Sequence, residues 1–171
     1  MAVEKTKDVL ETVRTKRAVR EFSDQPVPDE IVSTILDAGR RSQSSKNTQP
    51  WTFILIRNRE TLKKLSECGT YAKHLAGADF AVALIASPDA GAPDFDLGQA
   101  AAYIQLAAWG FNVGSCIASM WEPDKAKAIL GVPPDHKFDV AISFGYPAKP
   151  PAPPKQGGRR SLNETVRKEH W

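Results

Sequence analysis

The run Ser44-Ser45-Lys46-Asn47-Thr48-Gln49-Pro50-Trp51 sets hydroxyl and amide side chains side by side in front of a proline and an indole. Such groups both donate and accept hydrogen bonds, so they suit a heteroaromatic edge that presents mixed donors and acceptors. The same side chains also satisfy backbone groups in ordinary connections, which leaves a purely local role open. A second cluster lies upstream, where Lys16-Arg17-Ala18-Val19-Arg20-Glu21-Phe22 places three cations in five positions. Guanidinium meets a phosphate as a two-pronged fork and ammonium meets it as a point charge. Other reactive side chains offer less. His74, His136 and His170 have no Ser, Cys or carboxylate at triad-like spacing, and each is expected at the surface. Cys68 and Cys116 belong to no Cys-x-x-Cys or His-rich pattern, so neither a zinc site nor a disulfide framework is indicated. No dedicated nucleophile or general base stands out.

These groups need a frame to hold them, and the chain has the material for one. With 171 residues and 42% hydrophobic content it can bury one domain's core. Its longest apolar stretch, residues 80–86, is far shorter than a membrane span, and residues 1–5 lack the apolar core of a secretory signal. Reduced thiols and a cytoplasmic location are therefore expected, with no membrane partner. The net charge of +3 is too small to argue for nucleic acid. All of that excess sits in residues 155–171, where Lys155, Arg159, Arg160, Arg167 and Lys168 face Glu164 and Glu169.

Periodicity orders the elements. Residues 6–15 suit a helix with Val9, Leu10 and Val13 on one stripe. Val27-Pro28-Asp29-Glu30 opens a second, in which Ile31, Ile35 and Ala38 recur beside Val32, Leu36 and Gly39. Arg40 and Arg41 fall in its last turn, where cations complement the helix dipole. The apolar run 52–56 reads as a strand fed by the polar loop. Residues 59–68 suit a short helix stopped by Gly69, and 79–86, apolar throughout, suit a central strand. An Ala-rich helix follows over about 94–111, with apolar residues around most of its circumference. A two-fold dimer interface or a well-covered core position would each explain that. Residues 112–118 make a Gly-containing turn into a strand, Pro123 starts a helix closed by Gly131 and Pro133, and 138–144 form a last strand with Phe138, Val140, Ile142 and Phe144 on one face. Five prolines between residues 147 and 158 keep that linker extended.

The basic segment, followed after a helix by Ser44-x-x-Asn47-x-Gln49-Pro50-Trp51, resembles the nitroreductase family of flavin oxidoreductases, and the likeness continues to the C-terminus. That resemblance implies an α+β fold: a mixed, mainly antiparallel sheet flanked by helices, made as an intertwined homodimer with FMN at the interface. Residues 1–146 would form the FMN-binding core, and residues 147–171 a Pro-rich, basic extension that wraps the partner. By the same likeness Lys16 and Arg17 contact phosphate or ribityl, Arg20 lies near the flavin pyrimidine, and Ala18 belongs to the same motif. Ser44, Ser45 and Asn47 would serve the partner's flavin, while Arg159 and Arg160 close the phosphate end. Gly114 and Ser115 match a turn whose backbone lies against the ring, though any tight turn uses a glycine. Lys73 falls near a lysine that some members place beside flavin N1–O2, though a solvated lysine is the plainer reading. The implied activity is hydride transfer from NAD(P)H through flavin N5 to nitroaromatic, quinone or similar small-molecule acceptors, with no metal. Open alternatives are a flavin-binding protein with little turnover, a flavin-fragmenting or dehalogenating relative, and a plain α/β domain with a nucleic-acid or partner-binding tail. Two departures stand out. Ala18 stands where many members have Ser, and Lys16 where Arg is common. The short loop around 88–93 leaves acceptor specificity open.

Overall fold

Seven consecutive apolar residues cannot alternate between core and water, and Phe80–Ala86 (β2) is accordingly buried along its whole length. The computed structural model describes residues 8–91, 93–151 and 158–171. Residues 6 and 7 of the expected first helix, and Lys155, lie outside them. In the described residues β2 sits inside a four-stranded sheet of order β1-β2-β4-β3, with β1 at Trp51–Ile56, β3 at Gly114–Ser119 and β4 at Lys137–Gly145. Neighbouring strands all run antiparallel. Ala18 adds a parallel bridge to Ser115 at the β3 edge, so the basic segment runs along that edge.

Helices cover both faces. Helices α3 (Arg59–Ser66) and α5 (Pro123–Leu130) pack with Ala81, Ala83 and Ile85 of β2. On the other face α2 (Asp29–Arg40) and α4 (Pro93–Gly110) pack with Phe80, Val82 and Leu84. There the Phe80 and Phe144 rings stack with centroids 4.8 Å apart, and each buried ring contributes about 1.5–3 kcal/mol. Helix α2 approaches α4 closely at Gly39, where a Cβ would lie 2.5 Å from Ile104 Cγ1.

Three expectations change. Phe138 does not share a face with Val140, Ile142 and Phe144. The register slips by one residue between Leu84↔Val140 and Ala86↔Lys137. Such a bulge turns the preceding side chain to the opposite face, and Phe138 packs with the α3–α5 cluster instead. Gly69 does not end α3, which stops at Ser66 with Glu67 as its cap. Gly69 is needed for a close approach described below, whereas Gly131 does close α5 in the left-handed conformation, with φ of 66°. The short helix α1 (Val9–Thr15), capped by Asp8, leaves Val9, Leu10 and Val13 exposed. No other part of the described chain covers that stripe.

Candidate functional site

The β3 edge gathers the basic segment. Val19 N–H donates to the Ser115 carbonyl at 3.0 Å, and Val19 presses on Gly114, where a Cβ would come within 2.7 Å of it. Glycine at 114 is thus required by the close approach of Val19. Ser115 is fully buried, and its hydroxyl lies 3.4 Å from Gln105 Oε1. The same oxygen accepts a 2.7 Å hydrogen bond from Lys16 Nζ. Burial lowers the Lys16 pKa from its ordinary value; the Cys116 thiol offsets part of that and the Arg20 charge adds to it. Arg17 Nη1 donates to the Arg14 and Lys16 carbonyls, at 3.0 and 2.9 Å, which braces the guanidinium against its own backbone.

Arg20 and Lys73 then meet across an open pocket of about 570 Å³, lined also by Thr70, Tyr71 and His74. Lys73 thus shares a pocket with Arg20. His74 is buried rather than at the surface, only 8% exposed. Its Nδ1 lies 2.8 Å from Ser143 Oγ, which in turn donates to the Cys116 carbonyl at 3.3 Å. With that hydroxyl hydrogen committed, Ser143 accepts from Nδ1–H. Burial and the Arg20 charge lower the His74 pKa from its ordinary value, and a backbone interaction with Ile117 opposes them. The ring is therefore a neutral strut that ties the Lys73 turn to β3 and β4.

Lys16, Arg17, Arg20 and Lys73 share a further property: none has a carboxylate partner among the described residues. Several cations elsewhere are paired, Arg40 and Arg41 with Asp37, Arg57 with Asp29 and Asp79, and Lys137 with Asp94 and Asp139. Others, such as Lys46, Arg59, Lys63 and Lys64, also have no carboxylate partner among the described residues. The Asp37 pairing bears out a structural role for Arg40 and Arg41.

The Ser44–Trp51 loop lies elsewhere. Ser45 N–H donates to Asp96 at 3.1 Å, in the first turn of α4. Lys16 is bound by Gln105 of that same helix, and the step from residue 96 to 105 is about 14 Å of helix axis. Lys46, Asn47 and Gln49 all take left-handed φ values, 51°, 56° and 48°. Such backbone is costly for non-glycine residues and persists only where it is held. Ser44 Oγ holds it by accepting Gln49 N–H at 2.9 Å. Ser45 and Asn47 are exposed, and Ser44 is half-buried. Arg159 and Arg160 are exposed as well, and among the described residues the hydrogen bonds of 159–171 stay inside that segment. One chain thus brings together Lys16, Arg17, Ala18, Arg20, Lys73, Gly114 and Ser115. It does not bring Ser44, Ser45, Asn47, Arg159 or Arg160 to them.

The nitroreductase family profile matches residues 13–70 and 67–146. The chain belongs to the nitroreductase family. An Archaeoglobus fulgidus protein that carries the provisional name NADH dehydrogenase/NAD(P)H nitroreductase is 33% identical over 149 residues, covering 82% of this chain and 86% of that one. A Parabacteroides distasonis structure under the same provisional name superposes with a TM-score of 0.89, at 22% identity and 96% and 99% coverage. A Desulfovibrio desulfuricans structure, provisionally a nitroreductase in complex with FMN, gives a TM-score of 0.82 at 26% identity, covering 96% of this chain and 98% of that one.

Sequence reasoning missed Gln105 and His74. Gln105 had a signal, as an amide within a stretch of α4 that is otherwise apolar. His74 had none, because its burial depends on Ser143, which is distant in sequence.

Proposed function

We propose that this nitroreductase-family chain is an FMN-dependent oxidoreductase that takes a hydride from NAD(P)H and passes the electron pair to nitroaromatic, quinone or similar small acceptors. The observation that carries this reading is a set of four cations without carboxylate partners among the described residues, two of which, Arg20 and Lys73, line one open pocket. A phosphate dianion and a flavin pyrimidine edge are the kind of groups that such a set would meet. Lys16 and Arg17 would hold the phosphate or ribityl end. Arg20 and Lys73 would stand beside the pyrimidine, where positive charge favours the reduced, anionic cofactor. When bound, FMN supplies the hydride-accepting and hydride-donating atom, N5. The chain's own groups bind and orient, and His74 keeps the Lys73 turn in place as a neutral ring.

A second copy completes the site in this reading. Ser44, Ser45 and Asn47 would serve the partner's FMN from the far end of α4. Residues 147–171 would cross to the partner and bring Arg159 and Arg160 to its phosphate. Exposed Val9, Leu10, Val13 and Phe95 supply apolar surface for such an interface. Gly114 and Ser115 act through Val19 and Gln105 rather than by touching the ring.

The visible spectrum tests the activity. Purified protein should absorb as a flavoprotein, bleach anaerobically on adding NADH or NADPH, and recolour on adding menadione. Colourless protein that takes up no added FMN would sink the reading, and a flavin that stays oxidised with both nucleotides would favour a binding protein without turnover.

A further inference from the structure

Beside the Arg20 pocket lies a second groove, of about 510 Å³, whose lining includes Glu67, Thr70, Lys73, Trp121 and Glu122. Its walls are locked together. The Cys68 carbonyl accepts N–H groups from both Trp121 and Glu122, at 2.8 and 3.0 Å. Gly69 packs so closely on the end of β3 that a Cβ would fall 2.2 Å from the Ser119 carbonyl oxygen. Trp121 is nevertheless 68% exposed. A lone exposed indole means little, but one that lines a preformed concavity is an anchor for a flat ligand.

Thr70 and Lys73 line both cavities, so the two are adjacent. Their charges differ. The lining of the Arg20 pocket holds Arg20 and Lys73 with no carboxylate, whereas the Trp121 groove is lined by Glu67, Glu122 and Lys73, with Glu122 also 3.6 Å from Lys125. An anionic group belongs in the first. A neutral or cationic ring belongs in the second, where the indole face and the two carboxylates both favour positive charge.

We propose that the Trp121 groove seats the ring of the electron acceptor and selects neutral or cationic planar acceptors over anionic ones. This rests on the flavoenzyme reading above, which places FMN against Arg20 and Lys73 next door. Trp121, Glu67 and Glu122 then set acceptor specificity without holding the cofactor.

The test uses FMN-loaded protein with NADH and two dyes, cationic methylene blue and anionic dichlorophenolindophenol. Trp121→Ala should raise KM for methylene blue about tenfold, the loss expected from a desolvated cation–π contact. FMN content and the anaerobic rate of bleaching by NADH should not change. Trp121→Phe should recover most of the loss. Glu67→Gln with Glu122→Gln should narrow the preference for methylene blue over the anionic dye. An unchanged KM in Trp121→Ala at full FMN content would overturn the proposal. So would slower bleaching by NADH with KM unchanged, which would make the groove the donor's seat, or a shift to monomer with KM unchanged, which would make the indole an interface residue. Wild-type protein without FMN would overturn both readings, whereas failure of this one alone appears only in the variants.

Discussion

Lys16→Ala combined with Arg17→Ala is expected to fold and to lose FMN. The fold does not need either cation. Burial already lowers the Lys16 pKa, so its charged form is held at a cost in the absence of an anion. Removing it leaves Gln105 Oε1 with its Ser115 partner. Among the described residues Arg17 bonds only to nearby backbone carbonyls. The loss therefore falls on binding. A hydrogen bond to a charged group contributes about 1.5–3 kcal/mol, so losing two should weaken FMN at least ~100-fold. Quenching of FMN fluorescence on titration measures this, and the melting temperature serves as the control. FMN bound at wild-type affinity in the double variant would remove both residues from the site.

Gly69→Ala is expected to cause the largest loss of stability. The new methyl group would sit 2.2 Å from the Ser119 carbonyl oxygen, a backbone atom that cannot rotate aside. Relief requires the 68–70 turn to move off the end of β3, which pulls the Cys68 carbonyl away from Trp121 and Glu122 N–H. Overpacking of this kind costs about 1–3 kcal/mol, and two weakened hydrogen bonds add about 1 kcal/mol each. For a chain of this size the melting temperature should fall by roughly 10 °C. Gly77→Ala is the matched control, because a Cβ there meets nothing within 4 Å. Equal melting temperatures for the two variants would show that the turn yields freely.

Local chemistry made much of the frame legible. The unbroken apolar run of β2 marked it as interior, and Pro123 and Gly131 bounded α5 by their fixed backbone preferences. The Ser44–Trp51 loop stood out through its hydroxyl and amide side chains, whereas the left-handed backbone of Lys46, Asn47 and Gln49 was not legible there. What stayed hidden depended on partners remote in sequence. Phe138 looked like a member of an alternating strand, and only the slip against Ala86 turns it over. Gly69 looked like a helix stop, while its reason is a carbonyl of Ser119. His74 looked like a surface residue until Ser143 closed over it. The cations of 16–20 were legible as a cluster, but the amide of Gln105 that anchors Lys16 was not.

In the proposed reading two half-sites, at opposite ends of α4, meet only across a dimer. Two binding-deficient variants made together test it most directly: Lys16→Ala/Arg17→Ala in one copy, and Ser45→Ala/Asn47→Ala in the other. Each made alone should bind little FMN. If the halves come from different subunits, random pairing in a two-fold dimer restores about a quarter of the sites, because each mixed dimer has one intact site. The account predicts that fraction of wild-type flavin absorbance in the mixture. No recovery in verified mixed dimers, or full flavin in the Ser45→Ala/Asn47→Ala protein alone, would contradict it.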